Sequence, residues 1–238
     1  MNEVKNLIES VDTWSLFNSY FLSDDIQRLR KFVVKHNLFK EVIDVPGNIV
    51  ELGVFKGVGL AQLLKLREIY IPSTDKTIYG FDFFSSVDLS ENTSDDYVTM
   101  EQFYKDRKLN TKDGVSKELL DDFYTNMKLT PRNADNNDLP FKLIEGDVLK
   151  TIPEFLKNNQ GFRISFLLFD MDMYKPTLEC LNMLYDKVVR GGVIIFDEYG
   201  CDEWGESNAV DEWLINHPEI KLKTFTYGNS PTAYFFKN

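Results

Sequence analysis

Five short apolar runs, each followed at once by a glycine or an aspartate, set the kind of fold this chain can adopt. They are Asn48–Leu52 (NIVEL), Thr77–Phe81 (TIYGF), Phe141–Glu145 (FKLIE), Ile164–Phe169 (ISFLLF) and Val193–Phe196 (VIIF). Their length and their β-branched and aromatic content predict strands, and the nearly continuous hydrophobicity of ISFLLF predicts burial on both faces. Amphipathic stretches at Val58–Tyr70, Thr151–Lys157 and Thr177–Val188 follow individual runs, and Gly191-Gly192 is read as the turn that ends the third of these helices. Strands alternating with helices point to a doubly wound, mostly parallel α/β sheet. A further helix is expected at Ala209–Asn216. The tail, Lys221–Tyr227 and Thr232–Phe236 around Gly228-Asn229-Ser230-Pro231, predicts an antiparallel hairpin that brings the sheet to seven strands.

Two regions depart from this rhythm. Leu7, Ile8, Val11, Trp14 and Phe17 recur at helical spacing, and Ile26, Leu29, Phe32 and Val33 predict a second helix with Ser23 or Asp24 as its N-cap. With Pro46-Gly47 as punctuation, residues 1–47 read as a helical extension and 48–238 as the α/β domain. The aromatic residues of the extension suit either a core or a contact between copies of a homo-oligomer. The second region is the connection 83–140, rich in Asp, Asn, Ser and Lys. Connections of that length usually serve as lids or substrate-binding insertions. Helices are expected within it at Glu101–Arg107 and Lys117–Met127, and Phe103, Tyr104, Leu119, Leu120, Phe123 and Tyr124 predict that it packs on the domain.

Composition narrows the possible partners. Thirty-eight acids against 27 bases leave a formal charge of -11, which repels phosphate backbones and argues against nucleic acid. The two cysteines, Cys180 and Cys201, form neither a disulfide framework nor a zinc cluster. The first residues, MNEVKNLIESVDTW, carry acids where a secretory signal has a basic and then an apolar stretch, and no apolar run reaches membrane-spanning length. A cytoplasmic protein with no membrane partner is the expectation.

The chemistry-bearing residues cluster where the strands end. Glu51-Leu-Gly53-Val-Phe-Lys-Gly57-Val-Gly59 is a glycine-rich strand-to-helix turn, which lets a ligand approach the backbone at a helix N-terminus. Asp82, Asp147, Asp170, Asp172, Asp197 and Glu198 follow the other strands, and in such sheets ligands bind at the carboxyl ends. A nicotinamide enzyme calls for Gly-x-Gly-x-x-Gly with a diphosphate over the helix start. Here the spacing is Gly53, Gly57, Gly59, and Glu51 disfavours an anionic diphosphate while suiting a ligand with a cationic centre. The pattern Glu-x-Gly-x-x-x-Gly with Asp82 at the next strand end therefore looks like the S-adenosylmethionine motif of a class I methyltransferase. Asp170, Asp172, Asp197 and Glu198 stand on strands expected to be neighbours. Carboxylates that converge repel unless a cation lies between them, and hard oxygen ligands suit magnesium, calcium or manganese. The histidines, His36 and His217, lie far from these strand ends in sequence, so a histidine-driven triad is not expected.

Together these segments resemble the macrocin O-methyltransferase family, metal-dependent enzymes that methylate sugar hydroxyls. The resemblance is carried by Val45–Gly57, by Asp170–Tyr174 with Pro176-Thr177-Leu178-Glu179, by Gly191–Gly200 and by Ala209-Val210-Asp211. It implies a Rossmann-like class I methyltransferase fold. It implies that Glu51, Gly53, Gly57, Asp82 and Asp147 contact S-adenosylmethionine, that Asp170, Asp197 and Glu198 hold the divalent metal (magnesium first), and that Asp170 is the base. Asp172 is assigned to the cofactor, with the metal as its alternative. Where the family commonly has two aspartates this chain has Asp197-Glu198, and the segment after the second strand, Phe83-Phe84-Ser85-Ser86, also departs from the family pattern. The acceptor expected is a small sugar-like molecule. The competing readings are a catechol-type O-methyltransferase, a nicotinamide-dependent oxidoreductase and a non-catalytic binding protein on the same fold.

Overall fold

The computed structural model describes residues 12–84, 115–127, 129–132, 138–228 and 230–238. The expected helix Glu101–Arg107, the N-terminal positions Leu7, Ile8 and Val11, and most of the expected lid lie outside the described residues. The elements run α1 (Thr13–Phe21), α2 (Ile26–Lys40), β1 (Asn48–Leu52), α3 (Val58–Tyr70), β2 (Ile78–Asp82), α4 (Lys117–Thr125), β3 (Phe141–Glu145), α5 (Val148–Asn158), β4 (Ile164–Phe169), α6 (Tyr174–Leu184), β5 (Val188–Phe196), α7 (Glu206–Ile215) and β6 (Ala233–Phe236).

The strands form one sheet in the order β3-β2-β1-β4-β5-β6, parallel throughout except for β6. From β1 the chain winds outward to β3, returns to the other side of β1 as β4, and continues to β5. The two directions meet between β1 and β4, the topological switch point at which such sheets bind ligands. Side-chain alternation divides the core in two. Ile49, Ile78, Phe166, Leu168, Val193 and Ile195 face α2, α3 and α4. Val50, Phe81, Leu167, Phe169, Ile194 and Phe196 face α5, α6 and α7. By the same alternation Glu51 falls on the side of Ile49 and is buried beneath α2 and α3.

Helix α2 is fastened to the sheet by Val34, Leu38 and Phe39, all buried, and the Phe39 ring lies 6.3 Å from that of Phe166 on β4. Its cap is Asp25 rather than Ser23 or Asp24: the Asp25 carboxylate accepts from the Arg28 N–H at 3.2 Å and also pairs with the Arg28 guanidinium. Helix α1 leaves Trp14, Phe17 and Phe21 exposed, so these aromatics are not part of the core of this chain.

The described sheet has six strands where seven were expected. Lys221–Tyr227 does not continue as a strand, because only Lys223 pairs with the sheet, exchanging both backbone hydrogen bonds with Tyr234 at 2.8 and 2.9 Å. Beyond it the chain turns, with the Gly228 N–H on the Phe225 carbonyl at 3.0 Å, and the Phe225 ring stacks on Tyr234 instead of extending the ladder. Gly191-Gly192 also differs from its expected turn and lies inside β5, where Gly191 donates to the Lys237 carbonyl and Gly192 accepts from the Lys237 N–H. Among the described residues, no helix is long and apolar enough to cross a membrane.

Because Phe39 joins the charged face of α2 to the sheet, Phe39→Ala is expected to cost about 3–5 kcal/mol of stability. A urea titration with a lowered midpoint and an unchanged slope is the check.

Candidate functional site

Backbone hydrogen bonds extend the ladder past the strand ends. Gly53 donates to Phe81 (2.9 Å), Asp170 to Leu52 (2.8 Å), Asp197 to Phe169 (3.0 Å) and Gly146 to Asp82 (2.9 Å). Asp82, Asp170 and Asp197 therefore stand along one edge, as the sequence predicted. The close approach of β1 and β4 depends on Gly53, which has φ +87° and where a Cβ would fall 1.9 Å from the Asp170 carbonyl oxygen. Gly57, at φ +80°, begins α3, and its carbonyl accepts from the Tyr124 hydroxyl at 2.7 Å, so the described part of the insertion closes over the glycine-rich turn.

Asp82 organises that turn. Its Oδ2 accepts from the N–H groups of Val54 (2.6 Å) and Phe55 (2.8 Å), and its Oδ1 accepts from Phe84 N–H at 3.1 Å. Among the described residues, three that are not glycine have left-handed backbones, Phe55, Phe84 and Asp172, with φ of 49°, 52° and 65°. All lie at this end of the sheet. Such conformations cost about 1–3 kcal/mol each and persist where the surroundings over-determine them, often at functional sites.

The acids differ in how they are held. Glu51 is 1% exposed and pairs with Lys35 at 3.4 Å, leaving its Oε2 without a partner among the described residues. Burial raises its pKa against the attraction of Lys35 and Lys31. Asp147 caps α5, accepting from Leu149 N–H at 3.0 Å. Asp197 is buried, and its Oδ2 accepts from the Lys31 ammonium at 2.6 Å while its Oδ1 has no partner among the described residues. The same ammonium lies 3.5 Å from Asp170 Oδ2. Burial and the neighbouring Asp197 hold the Asp170 carboxyl well above its usual range. Burial, Glu198 and Asp197 push Asp172 up to about 7, and burial with Asp197 also raises Glu198. For Lys31, burial works to lower the pKa, but Asp170, Asp197 and Glu198 outweigh it and raise it.

Sequence reasoning missed three side chains here. Lys31 and Lys35 come from the extension, to which no chemistry was assigned. Their spacing of four places both on the helix face that carries Leu38, and charges in line with an apolar stripe were the available signal. The third is Glu206 at the start of α7, fully buried, whose Oε1 accepts from Glu198 N–H at 2.9 Å and whose Oε2 has no partner among the described residues. Burial raises its pKa well above the usual carboxylate range despite that hydrogen bond.

Hard carboxylate oxygens at Asp170, Asp197 and Glu198, with a buried and unpartnered Asp197 Oδ1, suit a divalent cation in their chemistry. As the side chains stand, no three metal-ligating groups among the described residues converge on one point, and Lys31 supplies the positive charge between Asp170 and Asp197. The unpartnered Glu51 Oε2 and the surrounding acids likewise suit a cationic organic ligand rather than a diphosphate.

The sheet order, the antiparallel last strand and the glycine-rich turn at the switch point define a class I methyltransferase fold. Residues 25–220 match the macrocin-O-methyltransferase (TylF) family, and the chain belongs to that family. It is 28% identical over 175 residues to demethyldecarbamoylnovobiocin O-methyltransferase of Streptomyces niveus, a match covering 71% of this chain and 59% of the relative's length. The crystal structure of CalS11, a calicheamicin methyltransferase, is 26% identical with a TM-score of 0.69, covering 98% of this chain and 89% of that one. The O-methyltransferase NovP shares the fold at 23% identity and a TM-score of 0.69, covering 88% of this chain and 80% of that one.

Lys35→Met leaves the buried Glu51 carboxylate without its counter-charge and is expected to cost about 3–5 kcal/mol, whereas the double variant Lys35→Met/Glu51→Leu recovers most of that loss. Asp147→Ala removes a helix cap and is expected to cost about 1 kcal/mol of stability. Chemical denaturation of the variants measures both.

Proposed function

We propose that the protein is an S-adenosylmethionine-dependent, divalent-metal-dependent O-methyltransferase that acts on a hydroxyl of a sugar or nucleotide-linked sugar. The observation that carries this reading is the pair of carboxylates, Asp170 and Asp197, brought together around the Lys31 ammonium at the strand ends of a macrocin-O-methyltransferase-family chain. The sugar assignment draws on two relatives, the novobiocin enzyme and CalS11, described as a TDP-rhamnose 3'-O-methyltransferase.

Glu51, Gly53, Gly57, Asp82, Asp147 and Asp172 are assigned to the methyl donor. Glu51 offers negative charge to its cationic part, and the turn ordered by Asp82 offers close backbone approach. Asp170, Asp197 and Glu198 are assigned to the metal, which when bound lowers the pKa of a coordinated hydroxyl and fixes its orientation. Asp170 is also assigned the hydroxyl proton, a role supported by its place at the end of β4 beside Asp197. The acceptor oxygen forms a bond to the methyl carbon as the carbon–sulfur bond breaks, and the electron pair of that bond stays on sulfur. Position and electrostatics supply the rate, with no covalent enzyme intermediate.

Asp170→Ala is expected to lower turnover by at least about 100-fold while leaving S-adenosylmethionine affinity within about threefold. Excess EDTA is expected to abolish methyl transfer to a nucleotide-sugar acceptor and added magnesium to restore it. Full activity in EDTA contradicts the metal assignment.

A further inference from the structure

Lys31 stands where a metal ion would have to compete. It comes from α2, a helix outside the strand-and-crossover pattern, and reaches the strand ends with its ammonium 2.6 Å from Asp197 Oδ2 and 3.5 Å from Asp170 Oδ2. Its own side chain is 34% exposed, while that of Asp197 is 1% exposed. A partly exposed lysine thus neutralises a buried carboxylate. The Asp197 backbone is held in place, its N–H bonded to the Phe169 carbonyl on β4. The residue after it is pinned through its own N–H by the buried Glu206.

Resting on the metal assignment of Asp170 and Asp197, we propose that Lys31 is a tethered counter-cation for this pair, which a divalent ion must displace in order to bind. The reasoning is steric and electrostatic together. An octahedral magnesium ion sits about 2.0–2.1 Å from its oxygen ligands, closer than the ammonium does. The same two carboxylates would hold it, through Asp197 Oδ1 as well as the oxygens that face Lys31. Two cations cannot share those oxygens without strong repulsion. The lysine keeps the acids compatible in the metal-free protein, where side by side they would repel, and it sets the affinity at which metal is taken up. Metal occupancy would also release α2 from its ionic contact with β4 and β5, leaving the Lys35–Glu51 pair and the apolar contacts of Val34, Leu38 and Phe39 to hold the helix.

The test is equilibrium binding of manganese, followed by the paramagnetic resonance of the free ion, to the full-length protein and to its Lys31→Met and Lys31→Arg variants, with melting curves of each. Removing the cation is expected to tighten manganese binding by about tenfold or more, and Lys31→Arg, which keeps a cation, to stay close to the unmodified protein. Without metal, Lys31→Met is expected to melt below the unmodified protein, and manganese to raise its melting temperature by more. This metal rescue keeps the test valid where the bare variant folds poorly. Equal or weaker manganese binding by Lys31→Met overturns the proposal and leaves the metal assignment standing. No manganese binding by any of the three proteins overturns the metal assignment and the proposal with it.

Discussion

Acids gathered at one edge of a sheet have to be reconciled with one another, and most of the site follows from how this chain does so. Glu51, Asp170, Asp172, Asp197 and Glu198 come together because parallel strands all end on the same side. Burial and mutual repulsion raise several of their pKa values, which is the electrostatic signature of a site made to receive positive charge. In the protein alone that charge comes from α2, with Lys35 on Glu51 and Lys31 on Asp197 and Asp170. The helix is thus part of the site's electrostatics as well as a cover for the sheet.

The same edge is shaped by geometry that side-chain charge does not supply. Gly53 allows β4 to approach β1, Asp82 gathers the N–H groups of the following turn, and Tyr124 ties α4 to Gly57. Left-handed backbones at Phe55, Phe84 and Asp172 lie in the same region. Asp82 and Asp147 carry structural duties visible in the chain itself, turn acceptor and helix cap. Any contact with a methyl donor is added to these.

How far the sequence spoke for the structure depended on the range of the interaction. The buried parallel strands were legible because their apolar runs are short, nearly continuous and closed by glycine or aspartate. The turn at Gly53 and the row of acids followed from the rule that such sheets bind at their carboxyl ends. What was not legible depended on contacts distant in sequence. Gly191-Gly192 reads locally as a turn, yet hydrogen bonds to Lys237 hold it in β5. Lys221–Tyr227 has strand-like composition but pairs only through Lys223, because Phe225 finds a better surface on Tyr234. The lysines of α2 showed only as charges on a helix until the fold brought them against Glu51, 16 residues from Lys35, and Asp197, 166 residues from Lys31. The formal charge of -11 has gained a partial local cause in these strand ends, and two lysines offset part of it there.

A carboxylate-rich edge of this kind suits a sulfonium methyl donor and not a dinucleotide. Titration calorimetry of the full-length protein with S-adenosylmethionine and, separately, with NAD tests it most directly. The account predicts saturable heat with S-adenosylmethionine at one equivalent per chain and none with NAD. Heat with NAD alone would contradict it.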